Sequence, residues 1–227
     1  FCTIEPNVGI VPVPDSRLDA LAAIAKSEKV IPAVMEFVDI AGLVAGASKG
    51  EGLGNQFLAN IRETDAIAQV VRCFEDDDVV HVDGRVDPLS DVETINTELI
   101  LADVDSVDKG MLRYQKVARS GDKEALANID LLEKLAAHLN EGNPARSFDV
   151  DEDQRKMVRD LHLITAKPMM YIANVDEDAL QNSSELADRL AALAAEEKAQ
   201  FVTVCAQIEA EIIQLEDDER DEFLADL

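Results

Sequence analysis

Four short apolar runs each end on an acidic or small residue, and this recurrence limits the fold more than any other feature of the chain. They are residues 35–38 before Asp39, 66–74 before Glu75, 169–173 before Asn174 and 201–204 before Cys205. Continuous rather than alternating apolar character is the pattern of strands covered on both faces, so a parallel sheet is expected. Helical segments separate the runs. One is capped by Asp15 and runs through Leu18, Leu21, Ala22 and Ile24, one covers 55–64, and one runs from Ser184 through Leu186, Leu190 and Leu193. Alternating strand and helix predict an α/β domain whose polar loops gather at the carboxyl ends of the strands.

Between 88 and 166 the pattern changes. Val92, Ile95, Leu99 and Ala102 lead, after a slip in phase, into Val104, Val107, Met111, Tyr114 and Ala118, with no strand signal. This predicts a long helix. Ser120-Gly121-Asp122 breaks it, and Leu126, Ile129, Leu132, Leu135 and Leu139 mark a return helix, so the pair reads as an antiparallel hairpin. A shorter helix over about 151–163 leads back to the sheet. The expected division is an α/β domain made of 1–87 and 167–227, interrupted by a helical block at 88–166. Such a block is either packing scaffold or a partner surface.

A chain of 227 residues, 47% of them apolar, can bury a real core in one or two domains. Its 21 Lys and Arg stand against 47 Asp and Glu, a formal net charge of -26, which argues against a broad basic face and against direct DNA binding. A small basic patch is compatible with this balance, and most of the acidity reads as a soluble surface. Cys2, Cys73 and Cys205 are odd in number and widely spaced, so reduced thiols are expected rather than a disulfide framework or metal knuckle. No apolar stretch approaches the roughly 20 residues that span a bilayer. With no leader pattern at the start, a cytoplasmic location and no membrane partner are expected. The chain opens at Phe1 and contains no G-x-x-x-x-G-K-[ST], so a first strand and phosphate loop are expected upstream.

Residues able to carry chemistry sit where the runs end. Asp39 closes one run, where its carboxylate can hold the water shell of Mg²⁺, and Gly42, lacking Cβ, lets a backbone N–H approach a terminal phosphate. Gly46, Gly50, Gly52 and Gly54 would leave the following loop free to order on phosphate. A lone D-x-x-G also fits an ordinary turn. In Tyr171-Ile172-Ala173-Asn174-Val175-Asp176-Glu177, the Asn174 amide can tie loops together and touch a purine. Glu177, or Asp176 beside it, can accept from donors on a base edge; guanine sites of this architecture carry Asp at the position of Glu177. Asn174 alone fits a helix N-cap loop equally well. At Cys205-Ala206, small residues would let backbone amides approach the base.

In this order the segments resemble the Obg group of translation-factor-type P-loop GTPases, and in wording the YchF, or Obg-like ATPase, family. Phe1-Cys2-Thr3-Ile4-Glu5-Pro6-Asn7, Asp39-Ile40-Ala41-Gly42-Leu43-Val44, Ala47-Ser48-Lys49-Gly50-Glu51-Gly52-Leu53-Gly54-Asn55, Asn60-Ile61-Arg62-Glu63-Thr64 and Asn96-Thr97-Glu98-Leu99 all read as that family's text. The resemblance implies an α/β P-loop NTPase fold, with a mostly parallel sheet, helices on both faces and an inserted helical hairpin. It implies hydrolysis of ATP, and of GTP, with Mg²⁺, by a translation- or stress-linked switch with the ribosome as partner. The family's phosphate loop and TGS domain are not in this sequence, so the chain by itself is expected to be inactive.

By position, Thr3 matches the switch threonine that ligates Mg²⁺ beside Asp39, and Gly42 belongs to the second switch. Asn174, Val175 and Glu177 fall on the base-recognition segment, adenine being accepted through Asn174 and the Val175 backbone. Leu43 stands where related GTPases place a water-orienting Gln; its aliphatic side chain can only exclude solvent, so orientation must come from elsewhere. His81, in the loop 76–84 after a strand, is the candidate to position the attacking water, although a His between Val80 and Val82 also fits packing at a strand edge. His138 and His162 lie in helical patterns and read as structural. The competing readings are a nucleotide-sensing module that acts through its hairpin with negligible turnover, and a GTP-selective family member.

Overall fold

The structure, a computed structural model, describes residues 7–40, 53–76, 85–182, 184–216 and 219–220. Three of the apolar runs form a parallel sheet of β3 (Ile67–Arg72), β4 (Met169–Asn174) and β5 (Gln200–Val204), with β4 in the centre. Arg72 pairs with Asn174, and Asn174 with Val204, so the three carboxyl ends finish level with one another.

Cover on both faces is not what the described residues provide. Val71, Tyr171 and Ala173 are buried, while Val70, Met170 and Val202 are exposed. Successive side chains of a strand point to opposite faces. The helices α3 (Pro88–Ala118) and α7 (Glu185–Glu196) pack with the inward set in a core that includes Val92, Leu99, Leu190 and Ala194. Among the described residues, the outward set of these strands is thus left uncovered.

The run ending at Asp39 departs further from expectation. It forms β2 (Val34–Asp39), paired antiparallel with β1 (Asn7–Pro12), a strand the apolar pattern did not signal. Among the described residues this pair is not hydrogen-bonded to the three-stranded sheet. Continuous apolar character speaks to burial and only indirectly to pairing direction, and here Asn7 lies opposite Asp39. Between the two strands runs α1 (Ser16–Ala25), whose N-cap is Asp15 as expected, accepting from the Arg17 amide at 3.0 Å.

From β3 the chain leaves through the hairpin and returns at β4. Helix α3 has 31 residues, a length of about 46 Å. Gly121 turns the chain at φ 82°, a left-handed conformation that favours glycine. Asp122 then caps α4 (Lys123–Asn140), accepting from the Ala125 amide at 2.8 Å. The buried stripe of α4 is Ala125, Leu131, Leu132, Leu135 and Leu139; Leu126, expected on it, is exposed because it lies one residue off the Ala125–Leu132–Leu139 seven-residue seam. These residues meet Val107, Leu161 and Leu163 in a second core, and α3 is the wall common to both cores. Helix α5 (Glu152–Arg159), capped by Asp151 and Gln154, stops short of the expected end. His162 follows in a left-handed turn at φ 50° instead of in a helix. The remaining helices are α2 (Leu53–Glu63), close to the expected 55–64, α6 (Asp178–Gln181) and α8 (Ala206–Ile212).

Candidate functional site

The level carboxyl ends of β3, β4 and β5 bring together three segments far apart in sequence. Cys73 N–H donates to Asn174 O at 2.8 Å, and Val175 N–H donates to Val204 O at 2.9 Å, carrying the ladder one residue past each strand. The Asn174 side chain bridges the next gap: its Oδ1 accepts from the Ala206 amide at 3.1 Å, at the first residue of α8. This is the tie between loops that the sequence suggested. With Oδ1 engaged, the Nδ2 donors remain available to a ligand acceptor. Val175 and Cys205 are buried, so they contribute shape and backbone rather than side-chain chemistry.

The two neighbouring acids divide their roles. Asp176 accepts from the Ala179 amide at 3.0 Å and so caps α6. Glu177, the residue just before that helix, is exposed, and its carboxylate has no hydrogen-bond or ion-pair partner among the described residues. Sequence left Glu177 and Asp176 as alternatives; the geometry leaves Glu177 as the carboxylate free to meet a ligand.

Asp39 is the last residue of β2, with an exposed side chain that forms no ion pair among the described residues. A free carboxylate at a strand end suits Mg²⁺, which keeps much of its water and takes few protein ligands. Among the described residues no group of three or more His, Cys, Asp or Glu could hold a metal. Thr3, Gly42, Leu43 and His81 lie outside the described residues. His138 is structural: its Nε2 lies 2.9 Å from Ser147 Oγ and 3.2 Å from Pro144 O.

One cluster escaped sequence reasoning. Asp103, fully buried on α3, accepts from Ile164 N–H, Thr165 N–H and Thr165 Oγ1, each at 2.7 Å. Burial pushes its carboxyl above the usual range, against the pull of these donors and of Arg62, whose Nη1 is 4.0 Å away. Arg62, near the end of α2, donates to His162 O at 3.0 Å and Ala102 O at 3.1 Å. Lys167 closes the same helix end, donating to Ile61 O at 2.9 Å, to Arg62 O at 2.8 Å and to Thr64 O. The helix that follows the glycine-rich stretch of the sequence is thus fastened to the foot of the hairpin. The partners lie about 40 to 106 residues apart in sequence, so spacing could not reveal them. The available signal was an acid inside the apolar stripe of α3.

Comparison with known proteins bears directly on this arrangement. The ribosome-binding ATPase YchF of Haemophilus influenzae is 58% identical over 227 residues, covering all of this chain and 62% of its own length. The similarity to that protein runs along the whole length of the chain. The ribosome-binding ATPase YchF of Bacillus subtilis is 50% identical over 229 residues, with 63% of its length covered. The model of the 50S ribosome-binding GTPase family matches residues 1–103. The solved YchF GTPase of Schizosaccharomyces pombe superposes with a TM-score of 0.82 at 33% identity, over 99% of this chain and 62% of that one. The fold is therefore that of a P-loop GTPase. The chain spans about three-fifths of these YchF proteins, 62% of the first.

Proposed function

We propose that a protein carrying this YchF-type region binds and hydrolyses ATP, and GTP, with Mg²⁺, and acts in the cytoplasm as a ribosome-linked switch. The observation that carries this reading is the junction of β4, β5 and α8. There Asn174 is held by the Ala206 amide beside an exposed Glu177, while the shorter Asp176 is committed to capping. Guanine selection in such sites rests on a short carboxylate, and a longer, exposed Glu177 relaxes that demand in favour of adenine. Asn174 donates to the base, the Val175 backbone and the small Cys205-Ala206 turn line its edge, and the division into 1–87, 88–166 and 167–227 sets the hairpin apart as the output arm.

At the other end, Thr3 and Asp39 would hold Mg²⁺, which supplies charge neutralisation at the phosphates when bound. The Gly42 N–H meets the terminal phosphate, Leu43 keeps bulk water out, and His81 orients the one water that attacks. Catalysis by these residues is positioning, with little covalent chemistry for the protein to perform.

Phosphate release by the full-length protein with ATP and Mg²⁺, with and without His81→Ala, tests the proposal. Background release by the parent leaves only a nucleotide-sensing module. In the same protein, Asn174→Ala weakens ATP binding by about tenfold, or 1.4 kcal/mol. GTP bound at least tenfold more tightly than ATP would make the site GTP-selective and remove the role given to Glu177.

A further inference from the structure

The far end of the hairpin reverses the charge of the molecule. Residues 108–124 hold Lys109, Arg113, Lys116, Arg119 and Lys123 against Asp108, Asp122 and Glu124, in a chain whose formal net charge is -26. Asp122 is engaged in capping α4, and Lys109 is paired with Asp105. Arg113, Lys116, Arg119 and Lys123 are all exposed, and none of their side chains forms an ion pair or hydrogen bond to another described residue. An acidic protein has carboxylates enough to pair every cation, yet these four are left together without one.

Their place in the fold sharpens the point. Ala102 is the last residue of α3 in the sheet core, and the helix continues to Ala118. That projection of 16 residues is about 24 Å. The core of Val107, Leu132, Leu135 and Leu139 stiffens it. We infer that the tip of the hairpin is an RNA-binding surface, at which Arg113, Lys116, Arg119 and Lys123 grip phosphates of ribosomal RNA. This rests on, and deepens, the ribosome-linked reading above.

Charge complementarity selects the occupant. The net charge of -26 disfavours a polyanion over the molecule as a whole, and the run of unpaired cations at the tip favours contact there. Arg113 and Arg119 offer planar forks that match phosphate oxygens, and Lys116 and Lys123 add point charges. Leu112 and Val117, exposed at 58% and 51% beside these cations, make an acidic protein face the competing occupant.

The experiment uses the full-length protein, purified ribosomes and a salt series. Three forms are compared: the parent, the quadruple Arg113→Gln, Lys116→Gln, Arg119→Gln, Lys123→Gln variant, and the charge-keeping Arg113→Lys, Arg119→Lys variant. The parent and the charge-keeping form should lose affinity steeply with salt, while the quadruple variant's log–log slope is shallower by about three, from 0.7–0.9 per phosphate released. ATP turnover without ribosomes should be equal in all three forms. Parental affinity and slope in the quadruple variant would overturn the inference, as would a parent that binds no ribosomes at low salt. A short RNA duplex and a poly-glutamate peptide serve as direct probes; binding of the peptide but not the RNA assigns the tip to an acidic protein instead. A parent that grips RNA through these residues yet releases no phosphate would sink the hydrolase reading and leave the tip standing.

Discussion

Replacing Asp103 by Ala should be among the most costly single changes in the described chain. Its carboxylate lies fully buried between α3 and the turn before β4, and it is the acceptor for two backbone amides and one hydroxyl, all at 2.7 Å. Removing it orphans the Ile164 and Thr165 amides in a place water does not reach, at about 1–3 kcal/mol for each unsatisfied donor. Against this, the variant no longer buries a charge, which offsets part of the loss. The net expectation is a destabilisation of about 3–5 kcal/mol for Asp103→Ala, and about 1–3 kcal/mol for Asp103→Asn, which keeps one acceptor. In urea unfolding followed by far-UV ellipticity, with an m value of about 3 kcal/mol/M, the Ala variant's midpoint falls by about 1–1.7 M. The pH dependence has a defined sign. Because burial raises the folded carboxyl above its usual value of 3.8, the folded state holds a proton that the unfolded state has already lost. Stability therefore falls as pH rises from 3.8 through the folded value, and Asp103→Asn lacks this slope. A midpoint within about 0.3 M of the parent for Asp103→Ala would refute the reasoning, since it would mean that the amides find other partners at no cost.

Lys167 works in the opposite direction. Desolvation lowers its ammonium below the usual 10.5, so the unfolded chain binds the extra proton and stability rises with pH up to 10.5; Lys167→Met removes this rise, as thermal melts across that range would detect. At neutral pH the same variant frees three carbonyls at the end of α2 and should cost about 1–3 kcal/mol, a figure that an unchanged melting temperature would contradict. Cys73 is 2% exposed and its thiol is pushed up to about 11 by burial and by Asp91, so iodoacetamide at neutral pH should spare it in the native protein and modify it in urea. Equal labelling under both conditions, read by peptide mass spectrometry, would show that the core around β3 opens freely.

Much of the architecture was legible because it is local. The Asp15 cap, the break at Ser120-Gly121-Asp122 and the long apolar stripe of α3 are signals carried within a few residues, and each lies where it was read. Apolar runs located β3, β4 and β5 for the same reason. What they did not convey was which faces are covered, that β2 pairs antiparallel with β1, or that the turn at His162 ends α5 early. Those outcomes depend on what packs against a segment, and a segment's own composition does not state it.

At the candidate site the division is the same. Residue types at strand ends were enough to nominate Asn174, Glu177 and the Cys205-Ala206 turn, since strands of a parallel sheet deliver their loops to one edge; Asp39, nominated on the same ground, ends a strand of the antiparallel pair instead. Only the folded chain joined Asn174 to Ala206, committed Asp176 to a helix cap, and left Glu177 free. It alone assembled Asp103, Thr165, Arg62 and Lys167 into a buried clamp. Local patterning sets which elements form, because propensity, capping and periodicity act over a few residues. Which polar groups find one another across 60 or 100 positions is settled by packing, because a buried donor or acceptor must be paired wherever the chain happens to bring a partner.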